Sequence, residues 1–259
     1  MNNSAPERFT QLLSILQRLR SPDGCPWDRE QTFASLRPYL LEETYEILET
    51  IDEKRYAQLK EELGDLMLHI IFQAQIASEM DLFDIADVLE TINQKLIRRH
   101  PHVFGDVKVE NARQVERNWE SIKLDESEKR LLGGVPNTLP ALLRAFRVQE
   151  KAAGVGFDWK RDREVIKKIL EEIKELRRAK ASGNQEKITE EFGDLLFSIV
   201  NLARFWKLSP EDALRKTIEK FIRRFNYIEE TLKAQGKDIQ KSTLAEMDAL
   251  WEEAKGKGM

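Results

Sequence analysis

The chain has 259 residues, 34% of them charged, yet its net charge is only -4. That length suits one large domain or two of about 130 residues, either able to bury its own core, and the near balance of charge argues against a nucleic-acid partner. The single cysteine, Cys25, forms no internal disulfide, and neither the polar opening stretch Met1–Arg20 nor short apolar runs such as Leu195–Val200 reads as a leader or a membrane span, so a cytoplasmic protein is expected.

Apolar residues recur three and four apart along most of the chain, and alternating strand-like runs are scarce, which predicts an all-α fold. In chain order, Gly24-Cys25-Pro26-Trp27-Asp28 comes first. Glu42, Glu43 and Glu46 follow on one helix, then a weak turn at Glu53-Lys54-Arg55, then Glu62 and Asp65 on the next helix with Gly64 between them. Lys95, Arg98 and Arg99 share a helix face. His100-Pro101-His102 reads as a turn in preference to a metal pair, and Trp119 precedes Lys123 by one helical turn. Gly133-Gly134-Val135-Pro136-Asn137-Thr138-Leu139-Pro140 is intolerable to a helix. It divides the chain into two expected domains, residues 1–132 and 133–259.

Past that break the pattern repeats. Glu171, Glu172, Glu175, Glu191 and Asp194 stand 129 residues after Glu42, Glu43, Glu46, Glu62 and Asp65, with Gly193 matching Gly64. Gly154-Val155-Gly156-Phe157-Asp158 matches the first Gly-to-Asp segment; Lys220, Arg223 and Arg224 match the first basic face; Trp251 and Lys255 match Trp119 and Lys123. The expected architecture is a tandem repeat of one helical bundle.

The second unit allows the register to be worked out. Ser182-Gly183-Asn184 is a turn with Asn184 as helix cap. Glu175 lies seven residues before Ser182 and Glu191 seven after Asn184, while Glu172 and Asp194 each lie ten away. In an antiparallel hairpin these become two facing layers of carboxylates, roughly 4.5 Å apart at ~1.5 Å rise per residue.

An isolated Glu-Glu-x-x-Glu string is ordinarily a solvated helix face. Here Ile169, Leu170, Ile173 and Leu176 lie away from the carboxylates, as in any amphipathic helix. The following helix is different. Phe192, Leu195, Leu196, Phe197, Ile199, Val200, Leu202 and Ala203 cover most of its directions, leaving a polar strip of Lys187, Glu191, Asp194, Ser198 and Asn201. Such a helix is expected to be enclosed, and enclosed carboxylates demand neutralisation by protonation or by a metal, because two like charges about 4 Å apart repel by about 4 kcal/mol at an effective dielectric near 20.

Oxygen ligands alone favour Mg2+, with Mn2+ as the alternative, over zinc or iron. The only histidines are His69, His100 and His102, so hydrolysis in the second half would use ion-activated water assisted by a carboxylate. Lys220, Arg223 and Arg224, with Lys187, are candidates for phosphate oxygens. Trp251 is either a packing anchor or a platform for a base.

The duplicated carboxylate motif, Cys25-Pro26-Trp27-Asp28, His100-Pro101-His102-Val103-Phe104 and the Gly/Pro break together resemble the MazG family of nucleoside triphosphate pyrophosphohydrolases, within the all-α NTP pyrophosphatase superfamily, over nearly the whole chain. The resemblance implies Mg2+-dependent cleavage of NTPs or dNTPs to the monophosphate and pyrophosphate by a homodimer. It also implies that Glu172, Glu175, Glu191 and Asp194 are metal ligands with Glu171 beside them. Lys187, Lys220 and Arg224 would then contact phosphates, Trp251 and Lys255 the nucleotide, and the C-terminal repeat would be catalytic. Asn201 lies on the polar strip where the first repeat has Phe72, and Ser198 where it has His69. That first repeat nevertheless keeps Glu42, Glu43, Glu46, Glu62 and Asp65, together with Lys95 and Arg99, so its activity stays open. A non-catalytic dimeric helical adaptor or nucleotide-binding regulator is the alternative reading.

Overall fold

A computed structural model describes residues 4–111, 114–115, 118–119, 122 and 131–259, and every regular element among them is helical. The chain divides into two compact units between Glu110 and Asn111. The Gly/Pro break at 133–140 therefore falls inside the second unit as irregular chain that leads into a helix beginning after Pro140. Lys123, paired with Trp119 by the repeat, lies outside the described residues.

The N-terminal unit contains α1 (Ala5–Arg20), a short α2 (Pro26–Glu30), α3 (Arg37–Asp52), α4 (Tyr56–Glu79), α5 (Ile85–Arg99) and the single turn α6 (Pro101–Phe104). Local chemistry sets these boundaries. Ser4 and Glu7 form a capping box that opens α1, and Asp84 accepts from the backbone of Ala86 and Asp87 to open α5. Gly24 is required where it stands, since a Cβ there would lie 2.1 Å from the Leu19 carbonyl oxygen. His100 caps α5 and engages the Leu96 carbonyl through Nδ1 at 2.7 Å, in keeping with the turn reading of His100-Pro101-His102.

Leu16, Leu36, Ile71, Phe72 and Ile76 form the core of this unit, with Phe9, Leu12, Leu13 and Phe33 packed around them. Leu16→Ala should destabilise the fold by about 2–5 kcal/mol through the cavity it leaves. A fall in the urea midpoint measures it, and a change of under 0.5 kcal/mol would show that this core is not closed.

The C-terminal unit contains α7 (Ala141–Gly154), α8 (Asp162–Ser182), α9 (Gln185–Phe205), α10 (Pro210–Ala234), a 3-10 turn (Ile239–Lys241) and α11 (Leu244–Gly256). The turn between α8 and α9 is the one read from the sequence. Gly183 ends α8 in the left-handed region at φ 71°, and the Asn184 side chain accepts from the backbone of Glu186 and Lys187. Val165, Ala179, Val200, Ile228, Leu232 and Ala254 are buried.

One expectation needs correction. The helix α9 is enclosed on one side only: Val200 is 1% exposed, whereas Phe192 is 52%, Leu196 41% and Ile199 46% exposed. The apolar periphery of α9 outruns the helices that its own unit packs against it. No described helix is long and apolar enough to cross a membrane.

Candidate metal and nucleotide site

The helices α8 and α9 pack side by side, and their hairpin register brings carboxylate oxygens of Glu172, Glu175 and Glu191 within 4.8 Å of one another. Glu172 is 4% exposed, a burial that a carboxylate tolerates only beside a cation. Burial first, then the charges of Glu175, Glu172 and Asp194, hold the Glu191 carboxyl above its ordinary range. The set is all oxygen and drawn from two helices, which fits a hard divalent cation.

Lys168 stands one turn before Glu172. Its ammonium lies 2.8 Å from Glu171 and 2.7 Å from Glu172, and the hydrogen bonds to these two carboxylates push it above the usual lysine range. The sequence reading missed this residue, although the i,i+4 spacing to Glu172 was the available signal. Glu171, by contrast, is exposed and faces Lys168, outside the three-carboxylate group. Lys168→Met should lower cation-free stability by about 1–2 kcal/mol, below the cost of breaking a fully buried pair because Lys168 is 37% exposed. The same variant should enlarge the stabilisation by Mg2+. Thermal melts with and without chelator measure both effects, and an unchanged Mg2+ increment would exclude Lys168 as a competing counter-ion.

Beside the carboxylates opens a cavity of about 720 Å³. Glu172, Asp194, Ser198 and Asn201 line it together with Gln149, Phe157, Trp159, Lys168 and Arg204. Arg204 is fixed by Asp158 at 3.0 Å and donates to Asn201 Oδ1 at 2.8 and 3.1 Å, which locks the Asn201 amide. Asp194 and Asn201, both predicted, thus meet at this cavity.

The basic residues form a separate group. Lys220, Arg223 and Arg224 ride on α10, Trp251 and Lys255 on α11, and none of the five lines the cavity. The Trp251 ring packs against Phe221 at 5.1 Å and beneath the Arg224 guanidinium at 5.3 Å. Arg224 also donates to the Met259 carbonyl, and Lys255 pairs with Glu252 at 2.8 Å. Lys187 is exposed in the first turn of α9.

The N-terminal unit builds the same cluster from α3 and α4. Oxygens of Glu43, Glu46 and Glu62 lie within 4.8 Å of one another, and Glu62 is 6% exposed. Burial and then Asp65 raise the Glu43 carboxyl, while burial and then Glu62 raise that of Glu46. Glu42 is exposed, as Glu171 is. Lys95 and Arg99 lie on α5, both half-buried. The differences lie around the cluster. Tyr39 takes the place of Lys168 and stacks on His69 at 6.4 Å, with Trp27 edge-on at 6.2 Å. His69 is buried, its Nε2 is 3.9 Å from Glu43, and burial lowers its pKa against the opposing charge of Asp65.

The MazG nucleotide pyrophosphohydrolase domain matches the chain twice, over residues 31–104 and 161–228, the two stretches that hold the carboxylate hairpins. The chain is 50% identical to a nucleoside triphosphate pyrophosphohydrolase/pyrophosphatase MazG of Thermotoga maritima over 251 residues, covering 96% of both proteins. It is 45% identical to a nucleoside triphosphate pyrophosphohydrolase of Escherichia coli over 255 residues, covering 96% of this chain and 97% of the other. An uncharacterised Bacillus subtilis protein, YabN, is 48% identical over 251 residues, 95% of this chain and 51% of its own length. Two carboxylate hairpins, each within a family-model match, and relatives aligned over nearly the whole of this chain place it in the MazG nucleotide pyrophosphohydrolase family.

Proposed function

We propose that the chain hydrolyses nucleoside triphosphates, ribo or deoxy, to the monophosphate and pyrophosphate, with Mg2+ held by Glu172, Glu175 and Glu191 and completed by Asp194. The observation that carries this reading is the convergence of three carboxylates, one of which, the 4% exposed Glu172, also lines a cavity of nucleotide size. Bound there, the ion would supply Lewis-acid activation of water and of the phosphate oxygens. Mn2+ fits the same oxygen donors.

The chain's own groups do the rest. With Glu172 engaged by a cation, Lys168 would be free to bind a phosphate oxygen. Lys220 and Arg224 would neutralise the departing pyrophosphate, with Lys187, Arg223 and Lys255 as further cations for it. Trp251 keeps Arg224 extended by stacking beneath it. Either Glu172 or Glu175 accepts the proton of the attacking water.

The working form in this proposal is a cytoplasmic homodimer. The exposed residues Phe192, Leu196 and Ile199 on α9, with Leu214, Ile218 and Phe221 on α10, form apolar faces that a second copy would cover. The N-terminal cluster would bind a cation by the same logic. Product analysis tests the function: monophosphate plus pyrophosphate is expected, and diphosphate plus inorganic phosphate would overturn it. Sedimentation tests the assembly, and a monomer at working concentration would overturn the dimer.

A further inference from the structure

The cavity beside the carboxylates holds a polar group that the phosphate chemistry does not use. Gln149, on α7, is 7% exposed and lines the cavity. Its Nε2 donates to the Phe197 carbonyl on α9 at 2.8 Å, which decides which way round the amide sits. Its Oε1 is buried without a hydrogen-bond partner. A buried acceptor left in that state opposes folding, and such groups in a native protein ordinarily have a use.

Three further features make the cavity suit a nucleoside. Glu172 and Asp194 lie in its wall, so a phosphate held at the carboxylates leaves the attached sugar and base to extend into it. Phe157 and Trp159 also line it, 83% and 47% exposed, as aromatic surface for a base to pack on. Asn201 has its Oδ1 engaged by Arg204, so its amide nitrogen is presented as a donor.

We propose that the base of the substrate triphosphate lies in this cavity and donates an N–H hydrogen bond to Gln149 Oε1, with the Asn201 amide donating to the neighbouring ring nitrogen or carbonyl oxygen. This rests on the pyrophosphohydrolase reading and adds a specificity-determining residue to it. The common bases all carry an N–H beside an acceptor: the N6 amine of adenine, the N4 amine of cytosine, the N1 and N2 hydrogens of guanine, the N3 hydrogen of uracil. The site therefore accepts all four and rejects a base that lacks such a donor.

Purine riboside triphosphate, which is ATP without the 6-amino group, is the probe. The intact chain should favour ATP over it by roughly 5- to 100-fold in kcat/KM, the range that one buried unmade hydrogen bond produces. Gln149→Leu should bring the two substrates to within about two-fold, and Asn201→Leu should weaken both while keeping the preference for ATP. Equal use of the two by the unaltered chain overturns the proposal. So does a Gln149→Leu variant that slows both in proportion, the mark of a purely structural link between α7 and α9. If neither triphosphate yields monophosphate and pyrophosphate, the catalytic reading fails separately. The same preference is then sought in calorimetric binding of the two nucleotides, where equal affinities overturn the role of Gln149.

Discussion

Replacing Asp194 by alanine should lower kcat for triphosphate hydrolysis by about 10²–10³-fold, the loss typical when a group that organises charge in the transition state is removed. Asp194 is exposed in the C-terminal unit, lines the cavity and acts electrically on Glu191. It anchors no apolar packing, so the helical content and melting temperature without added cation should stay close to those of the parent. That separation of activity from stability makes it a sharper probe than Glu172, whose 4% exposure and pairing with Lys168 tie it to the fold. The parallel change Asp65→Ala alters the N-terminal cluster by the same chemistry. If Asp194→Ala retains full turnover and Asp65→Ala abolishes it, catalysis resides in the N-terminal unit and the assignment of the C-terminal site is wrong. If each halves the rate, both units work.

The carboxylate hairpin was legible in the sequence because it depends only on rise per residue and a recognisable turn. Counting from Ser182-Gly183-Asn184 sets Glu175 level with Glu191 and Glu172 level with Asp194; in the structure Glu172, Glu175 and Glu191 converge, Asp194 joins Glu172 in the cavity wall, and Gly183 at φ 71° with Asn184 as cap is the turn that the count requires. Glu171 was harder, because about 100° of rotation separates it from Glu172 and turns it to solvent; adjacency in sequence is not adjacency in space. The exposure of Phe192 and Ile199 was not legible at all. Periodicity says that a surface is apolar but not how many helices are present to cover it. Nor could the sequence show that Gln149 reaches across to Phe197, since a glutamine on an amphipathic helix is ordinarily a surface residue.

Mg2+ should raise the melting temperature at neutral pH by several degrees and do almost nothing near pH 4. The reason is the sign of the shifts within the two clusters. Burial, followed by neighbouring carboxylates, raises Glu43, Glu46 and Glu191 above their ordinary range. A carboxyl whose pKa is higher folded than unfolded contributes stability that is fully present below the unfolded value and is lost as pH rises through the folded one. Once these groups lose their protons they repel one another, and a divalent cation offsets that repulsion. Saturation at about 100 times Kd adds roughly 2.7 kcal/mol, or about 5–10 °C for a chain of this size. As pH falls, protons compete with the cation for the carboxylate oxygens, so metal binding weakens. Other carboxylates run the opposite way: Arg20 lowers Glu79, while Lys237 and the Thr243 cap hold Glu246 down at about 2. Their stabilisation is present above the unfolded carboxylate range and fades as pH falls, whether or not Mg2+ is added. Melting curves from pH 4 to 8, with Mg2+ and with chelator, separate the two sets, because only the difference between the curves reports the clusters. An increment that is independent of pH, or none at pH 7, would mean that the carboxylates of α3/α4 and α8/α9 do not converge on a cation.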